Sequence, residues 1–321
     1  PGQERLAYSV RDGDVLLVVV HTLATALGGE GHMELDWLAA TLAEHRDARW
    51  KFVVGHHPAW PVNGYAGSYQ RTIGDEYVRP FWRLLEENGI MAYLCSHILA
   101  FDVQCHGGVL QVTSAGAGTG HRMPEDVEYL HAVQMALDAS GLRYQVLDDA
   151  GRVRERLAWP PAVASRFAPL QPGAPPWSDG IVVLRLTGDA SADQDDGRRQ
   201  TLIAATDPET GATPFWLGFV GRQQRLTAIL QPTPGRSPHQ WLGPATPPGA
   251  PFAYDVMLHP GMGPGGILWR APGGSWSTFE HASPWGLERL EWPPELSLCG
   301  GGPEPFRGAA LALEWGEVPA F

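Results

Sequence analysis

From its N-terminal end the chain alternates short apolar runs with amphipathic ones. Residues 5–10 and 14–20 are strand-like and meet at Asp12-Gly13, a dipeptide that favours hairpin turns. The second of these runs is continuously apolar, the pattern of a strand buried on both faces. Leu35, Leu38, Ala39 and Leu42 recur at helical spacing, which predicts an amphipathic helix over 33–45. A short strand at 52–55, a second helix at 75–88 closed by Gly89, and a strand at 92–95 follow. Further strands are predicted around Val103 and at 109–113, 132–137, 142–147 and 153–159. The last three are separated by the turn sequences Asp138-Ala139-Ser140-Gly141 and Asp148-Asp149-Ala150-Gly151. Alternating α and β with an antiparallel tail implies α/β layering for this half.

The helical period then disappears. Residues 158–177, AWPPAVASRFAPLQPGAPPW, are loaded with proline and carry neither a period of about 2 nor one of about 3.6, as suits an extended connection. Beyond them, 181–186, 201–206, 215–220, 226–230, 254–258, 266–270 and 309–315 read as strands separated by glycine, proline and aspartate turns, the signature of a β-sandwich or jelly roll. The expected organisation is an α/β domain over 1–160, a proline-rich linker over 161–176 and an all-β domain over 177–321.

Composition narrows the partners. A length of 321 residues exceeds what one core usually supports, in keeping with two domains. With Asp+Glu 35 against Lys+Arg 23 and a net charge of -12, the chain lacks the cation excess that drives nucleic-acid binding. No apolar stretch approaches the roughly 20 residues of a membrane span, and no cationic apolar leader precedes Arg5, so a soluble protein without a signal sequence is expected. Cys95, Cys105 and Cys299 are too few and scattered for a disulfide framework or a cysteine metal knuckle. Of thirteen tryptophans nine lie from Trp159 onward, where they serve either a core or a flat stacking surface.

The chemistry-bearing stretch is RWKFVVGHHPAWPVNGY (49–65), NGIMAYLCSHILAFDVQ (88–104) and VLQVTSAGAGTG (109–120). Its ordered motifs, Gly55-His56-His57-Pro58, Cys95-Ser96-His97-Ile98-Leu99 and Ser114-Ala115-Gly116-Ala117-Gly118, resemble the GHxP, CGHxH and SGAG loops of purple-acid-phosphatase-type, calcineurin-like metallophosphoesterases. The resemblance covers residues 5–158 and corresponds to the C-terminal half of that fold. It implies part of an αββα sandwich and a hydrolase acting on phosphate esters through a divalent metal, Zn, Fe or Mn. It also makes His56 and His97 metal ligands and places His57 where a side chain meets a phosphoryl oxygen. The sequence departs from the pattern at Leu99, which stands where the family has a last histidine, and at Ser96, which replaces a glycine. The family's later substrate-facing histidine is matched by Tyr65. His21, His106 and Asp102 are the candidates for a third ligand, and a reduced or altered activity is implied. Half of such a sandwich would leave an apolar sheet face open, and a homo-oligomer is expected to cover it.

The second half resembles concanavalin-A-like, laminin-G-like jelly rolls, chiefly in its ending LSLCGGGPEPFRGAALALEW with the Pro305-Phe306-Arg307-Gly308 element. That likeness implies glycan binding, for which Trp241, Trp269, Trp276 and Trp285, read as sitting in glycine- and proline-rich loops, are the candidates. The alternative to a phosphoesterase is therefore a carbohydrate-directed protein, either a binding module or a β-glycosidase. The latter needs two facing carboxylates from among Asp102, Glu125, Glu128, Asp255 and Glu280.

Overall fold

The computed structural model describes residues 6–63, 72–116, 129–161, 166–170, 180–192, 198–205, 213–231, 238–282, 298–300 and 304–318. The chain is mostly β-sheet with two α-helices among the described residues. It divides into two compact units, Pro1–Trp159 and Pro160–Phe321.

In the first unit, β1 (Tyr8–Asp12), β2 (Val15–Val19), α1 (Leu35–Glu44), β3 (Trp50–Val54), α2 (Asp75–Glu87), β4 (Ala92–Cys95), β5 (Phe101–His106) and β6 (Val109–Ser114) build one sheet with two helices. The strand order is β1-β2-β3-β4-β6-β5. β2, β3, β4 and β6 run parallel, and β1 and β5 close the two edges antiparallel. β7 (His131–Asp138), β8 (Gly141–Asp148) and β9 (Val153–Trp159) form a separate three-stranded meander.

Both helices cover one face of the six-stranded sheet. α1 contributes Leu38 and Leu42, and α2 contributes Phe81, Trp82 and Leu85, to a core that includes Leu16, Val18, Val53 and Tyr93. Each fully buried leucine there is worth roughly 1.5–3 kcal/mol of transfer free energy. Pro80 sits inside α2 without breaking it, and its own position is exposed. The helix ends at Gly89, whose φ of 62° lets Ile90 N–H return to the Leu85 carbonyl at 3.0 Å.

The opposite face is covered unevenly. A row of register partners runs across it from Tyr8 through Val19, Val54, Leu94 and Val112 to Val103. At the β5 end Val103 is 1% exposed, and the meander packs there through Phe101 against Tyr144 and an indole N–H donated by Trp159 to the Gly108 carbonyl. At the β1 end Leu6, Tyr8 and Val10 are 48%, 47% and 51% exposed.

The second unit contains β10 (Ala168–Pro169), β11 (Ile181–Asp189), β12 (Gln200–Ala205), β13 (Phe215–Val220), β14 (Arg225–Leu230), β15 (His239–Ala245), β16 (Pro251–Leu258), β17 (Ile267–Arg270), β18 (Ser277–Thr278), β19 (Glu280–His281), β20 (Leu298–Gly300) and β21 (Ala309–Val318). They form two six-stranded sheets, ordered β10-β21-β11-β16-β17-β18 and β19-β15-β14-β13-β12-β20. Alternate residues of each strand meet in one core: Leu184, Leu186 and Val256 from the first sheet, Phe215, Leu217, Ala228 and Trp241 from the second. On the far face of the first sheet, buried Asp255 bridges Arg185 at 2.9 Å and Arg270 at 3.1 Å.

No described helix is long and apolar enough to cross a membrane. Cys95 and Cys105 are buried free thiols.

Candidate metal centre

The carboxyl ends of the parallel strands β3 and β4 deliver the histidines. After Val54 the chain turns at Gly55, where a Cβ would lie 2.3 Å from the Tyr93 hydroxyl. Glycine at this point lets Tyr93, fully buried in β4, donate to the His57 carbonyl at 2.5 Å. Ser96 N–H donates to the His56 carbonyl at 3.0 Å, so the two loops are tied together through their backbones. His97 then takes a φ of 63°, a left-handed conformation that costs a residue with a Cβ about 1–2 kcal/mol.

These constraints bring the three imidazoles together. One ligand atom from each of His56, His57 and His97 lies within 4.8 Å of the others. Ring centroids are 4.9 Å apart for His56–His57 and His56–His97 and 4.4 Å apart for His57–His97. His97 Nδ1 and His56 Nε2 share a hydrogen bond of 3.0 Å. A carboxylate joins them from the loop after β2: Glu30 Oε1 lies 3.4 Å from His57 Nε2 and 3.7 Å from His97 Nε2. That loop is pinned by Gly31 N–H to the Thr22 carbonyl at 2.9 Å and by Ala24 N–H to the His32 carbonyl at 3.1 Å.

The donor set fits a metal ion. Ligands on a tetrahedral ion at metal–nitrogen distances near 2.0–2.1 Å stand about 3.3–3.4 Å apart; Glu30 and His57 stand at that spacing, 3.4 Å, and the three imidazole atoms lie somewhat wider, within 4.8 Å. His57 is 1% exposed and its Nε2 has no hydrogen-bond partner. Imidazole and carboxylate together suit Zn, Fe or Mn. Burial, and then the neighbouring His56, pull the His57 imidazole below its ordinary pKa against the opposing effect of Glu30. The ring is thereby kept neutral near pH 7, the form that ligates. Thr22 Oγ1 lies 2.9 Å from His57 Nδ1 and accepts the His57 backbone N–H at 3.3 Å. When the hydrogen of the neutral ring is on Nδ1, the hydroxyl's second lone pair accepts a hydrogen bond from it and Nε2 is left bare, the supporting contact that ligating histidines usually have.

Other expected ligands lie elsewhere. His106 sits against Trp60 at 4.5 Å and beside Gln104 at 3.1 Å, and burial lowers its pKa to about 4. Asp102 is 3% exposed, accepts Gln104 Nε2 at 2.7 Å and Asn63 N–H at 3.2 Å, and is pushed by burial up to about 6. His21, at the end of β2, does not enter the group of three. The groups that stand beside His56 and His97 are instead His57, read from sequence as a phosphoryl contact, and Glu30. No motif marks Glu30; the signal available was a carboxylate inside the glycine-rich run Gly28-Gly29-Glu30-Gly31 that follows a parallel strand.

Two of the four tryptophans expected in loops are not there: Trp241 and Trp269 stand in β15 and β17. Trp241 is fully buried and donates its indole N–H to the Pro264 carbonyl at 2.8 Å, because its ring fills the space between the two sheets. Trp269 packs partly buried against the same core, and Trp276, 8% exposed, lies under Arg270 at 4.3 Å. Trp285, Tyr65, Glu125 and Glu128 lie outside the described residues. Of the remaining carboxylates, Asp255 is held between two guanidiniums and Glu280 is exposed opposite Arg225 at 3.5 Å.

No family model matches the chain, and no curated protein matches it. Solved structures resemble it in part. A purple acid phosphatase, PPD1, from yellow lupin (Lupinus luteus) seeds is 15% identical over 49% of this chain and 33% of that one, with a TM-score of 0.38. GAP50, the anchor in the inner membrane complex of Plasmodium, is 12% identical over 47% of this chain and 52% of that one, with a TM-score of 0.36. A Staphylococcus aureus protein assigned as a 5'-nucleotidase is 12% identical over 46% and 27%, with a TM-score of 0.25. The chain thus spans about half or less of the length of these proteins.

Proposed function

We propose that the first unit holds a single divalent metal ion among His56, His57, His97 and Glu30, and that the site is a hydrolase of phosphate esters with altered activity. The observation that carries this reading is the convergence of three imidazoles within 4.8 Å, with a carboxylate 3.4 Å from the most buried of them. Three histidines, or two histidines and a carboxylate, are the usual protein ligands of a catalytic zinc.

A bound divalent cation supplies Lewis acidity and lowers the pKa of water toward neutrality. The chain's own residues do the positioning. Thr22 holds the His57 ring through Nδ1, Tyr93 and Ser96 hold the two loops in register, and Glu30, 42% exposed, lies beside His57 and His97. The phosphate ester as substrate class is supported by the likeness of the loops at 55–58, 95–99 and 114–118 to those of metallophosphoesterases. Leu99 removes one imidazole from the family's two-metal arrangement, which favours one ion and an altered rate over the full cluster.

Calorimetric titration of the full chain with Zn²⁺ or Mn²⁺ tests the site, together with turnover of a chromogenic phosphate monoester and diester. One ion per chain is expected, with affinity reduced at least about 10-fold in His56→Ala and His97→Ala and turnover falling in parallel. Absence of stoichiometric binding, or variants that bind as well as the parent, would overturn the reading.

A further inference from the structure

Ser114 is the last residue of β6, at the carboxyl edge of the parallel sheet where ligands of open α/β folds collect. Its register partner on β5 is Phe101, which packs against the meander, so Ser114 lies on the meander side, away from the helices. The Ser114 hydroxyl lies 3.0 Å from Nε2 of His131, the first residue of β7.

The other nitrogen of that ring defines its chemistry. His131 Nδ1 lies 2.8 Å from the Tyr129 carbonyl, which can only accept. Nδ1 therefore carries the hydrogen, and in the neutral ring Nε2 presents its lone pair to Ser114. Burial lowers the pKa of His131 and favours that neutral form. The ring reaches this place only because residue 116 is glycine: a Cβ there would lie 1.9 Å from His131 Nδ1. His131 N–H also donates to the Gly116 carbonyl at 3.1 Å, and Phe101 and Tyr129 flank the ring at 5.5 and 5.1 Å. A hydroxyl, a base with its lone pair toward that hydroxyl, and an acceptor orienting the base are the parts of an activated nucleophile.

We propose that Ser114 and His131 form a second, metal-independent nucleophilic site that cleaves small carboxylic esters, with Phe101 and Tyr129 as its apolar flank. Ser114 Oγ bonds to the carbonyl carbon while its proton passes to His131 Nε2. The bond from that carbon to the alcohol oxygen breaks, and the departing oxygen takes the proton from Nε2. Water then attacks the acyl-serine by the same route, releasing the acid and restoring the hydroxyl.

The test exposes the full chain to a fluorophosphonate probe, whose fluoride a serine oxygen displaces, and to p-nitrophenyl acetate, each with and without EDTA. Intact mass and peptide mapping locate the adduct. One adduct on Ser114 is expected, formed at the same rate in chelator, which separates this site from the metal centre. Ser114→Ala should carry none, and His131→Ala should label about 100-fold more slowly or worse. Gly116→Ala, which displaces the ring, should slow labelling as well. Wild-type protein that bears no adduct on Ser114, or His131→Ala that labels at the parental rate, would overturn the proposal whatever the variants do to stability.

Discussion

Asp102 offers a direct test of the polar layer beneath the loop that follows the histidines. Its carboxylate, 3% exposed, accepts Gln104 and the backbone N–H of Asn63, and Gln104 also donates to the Pro61 carbonyl at 2.6 Å. Burial outweighs these bonds and raises the acid from 3.8 to about 6. An acid raised by about two units is worth roughly 3 kcal/mol of pH-dependent stability. Below about pH 3 the group is protonated whether the chain is folded or not, and it costs nothing. As the pH rises the unfolded chain ionises first while the folded one keeps its proton, so stability falls until about pH 6 and is level above that. Asp102→Asn removes the titration. The difference in unfolding free energy between this variant and the parent, measured by urea denaturation, should therefore move in favour of the variant by roughly 3 kcal/mol between pH 3 and pH 7. Taking the difference cancels the other carboxylates and any constant cost of the amide. A difference that stays flat across this range, or that moves toward the parent, would refute the reasoning.

Two more predictions follow from the same contacts. Tyr93→Phe strands the buried His57 carbonyl and should cost about 1–3 kcal/mol by denaturant melt while weakening Zn²⁺ binding, whereas an unchanged metal affinity would show that the hydroxyl does not position the site. Trp241→Ala should lower stability by about 3–5 kcal/mol, as for a ring removed from a core, and a loss of less than about 1 kcal/mol would contradict its placement between the sheets.

Much of the local structure was legible in the chain because burial and periodicity coincide. Ala92–Cys95, Val153–Trp159 and Phe215–Val220 are continuous or alternating apolar runs bounded by turn residues, and they appear as strands with those bounds. The 33–45 helix shortens to Leu35–Glu44, since Met33 turns inward as part of the pinned loop rather than beginning a helical turn. His239–Ala245 was missed because Gly243 and Pro244 disguise it: glycine is needed where Phe279 would lie 2.7 Å from a Cβ. The imidazoles that the motifs mark, His56, His57 and His97, do lie together. The nearness of Glu30 to them was not legible, because it depends on a loop closed by backbone hydrogen bonds that leave no periodic trace. Tryptophans among glycines suggested an open surface. In the folded chain the small residues instead make room for the rings, as where Trp241 donates to the carbonyl of Pro264.

The backbone at His97 has a wider consequence. A residue without a side chain would occupy φ 63° at no penalty, so the imidazole is retained there at the expense of ease of folding. Any substitution at this position exchanges two quantities at once: glycine would give up a ring of the cluster and relax the main chain, while alanine would give up the ring and keep the torsional load. If the cluster holds the proposed ion, robustness and reactivity are therefore opposed at one residue, and a sturdier protein obtained by changing it would be a less competent one.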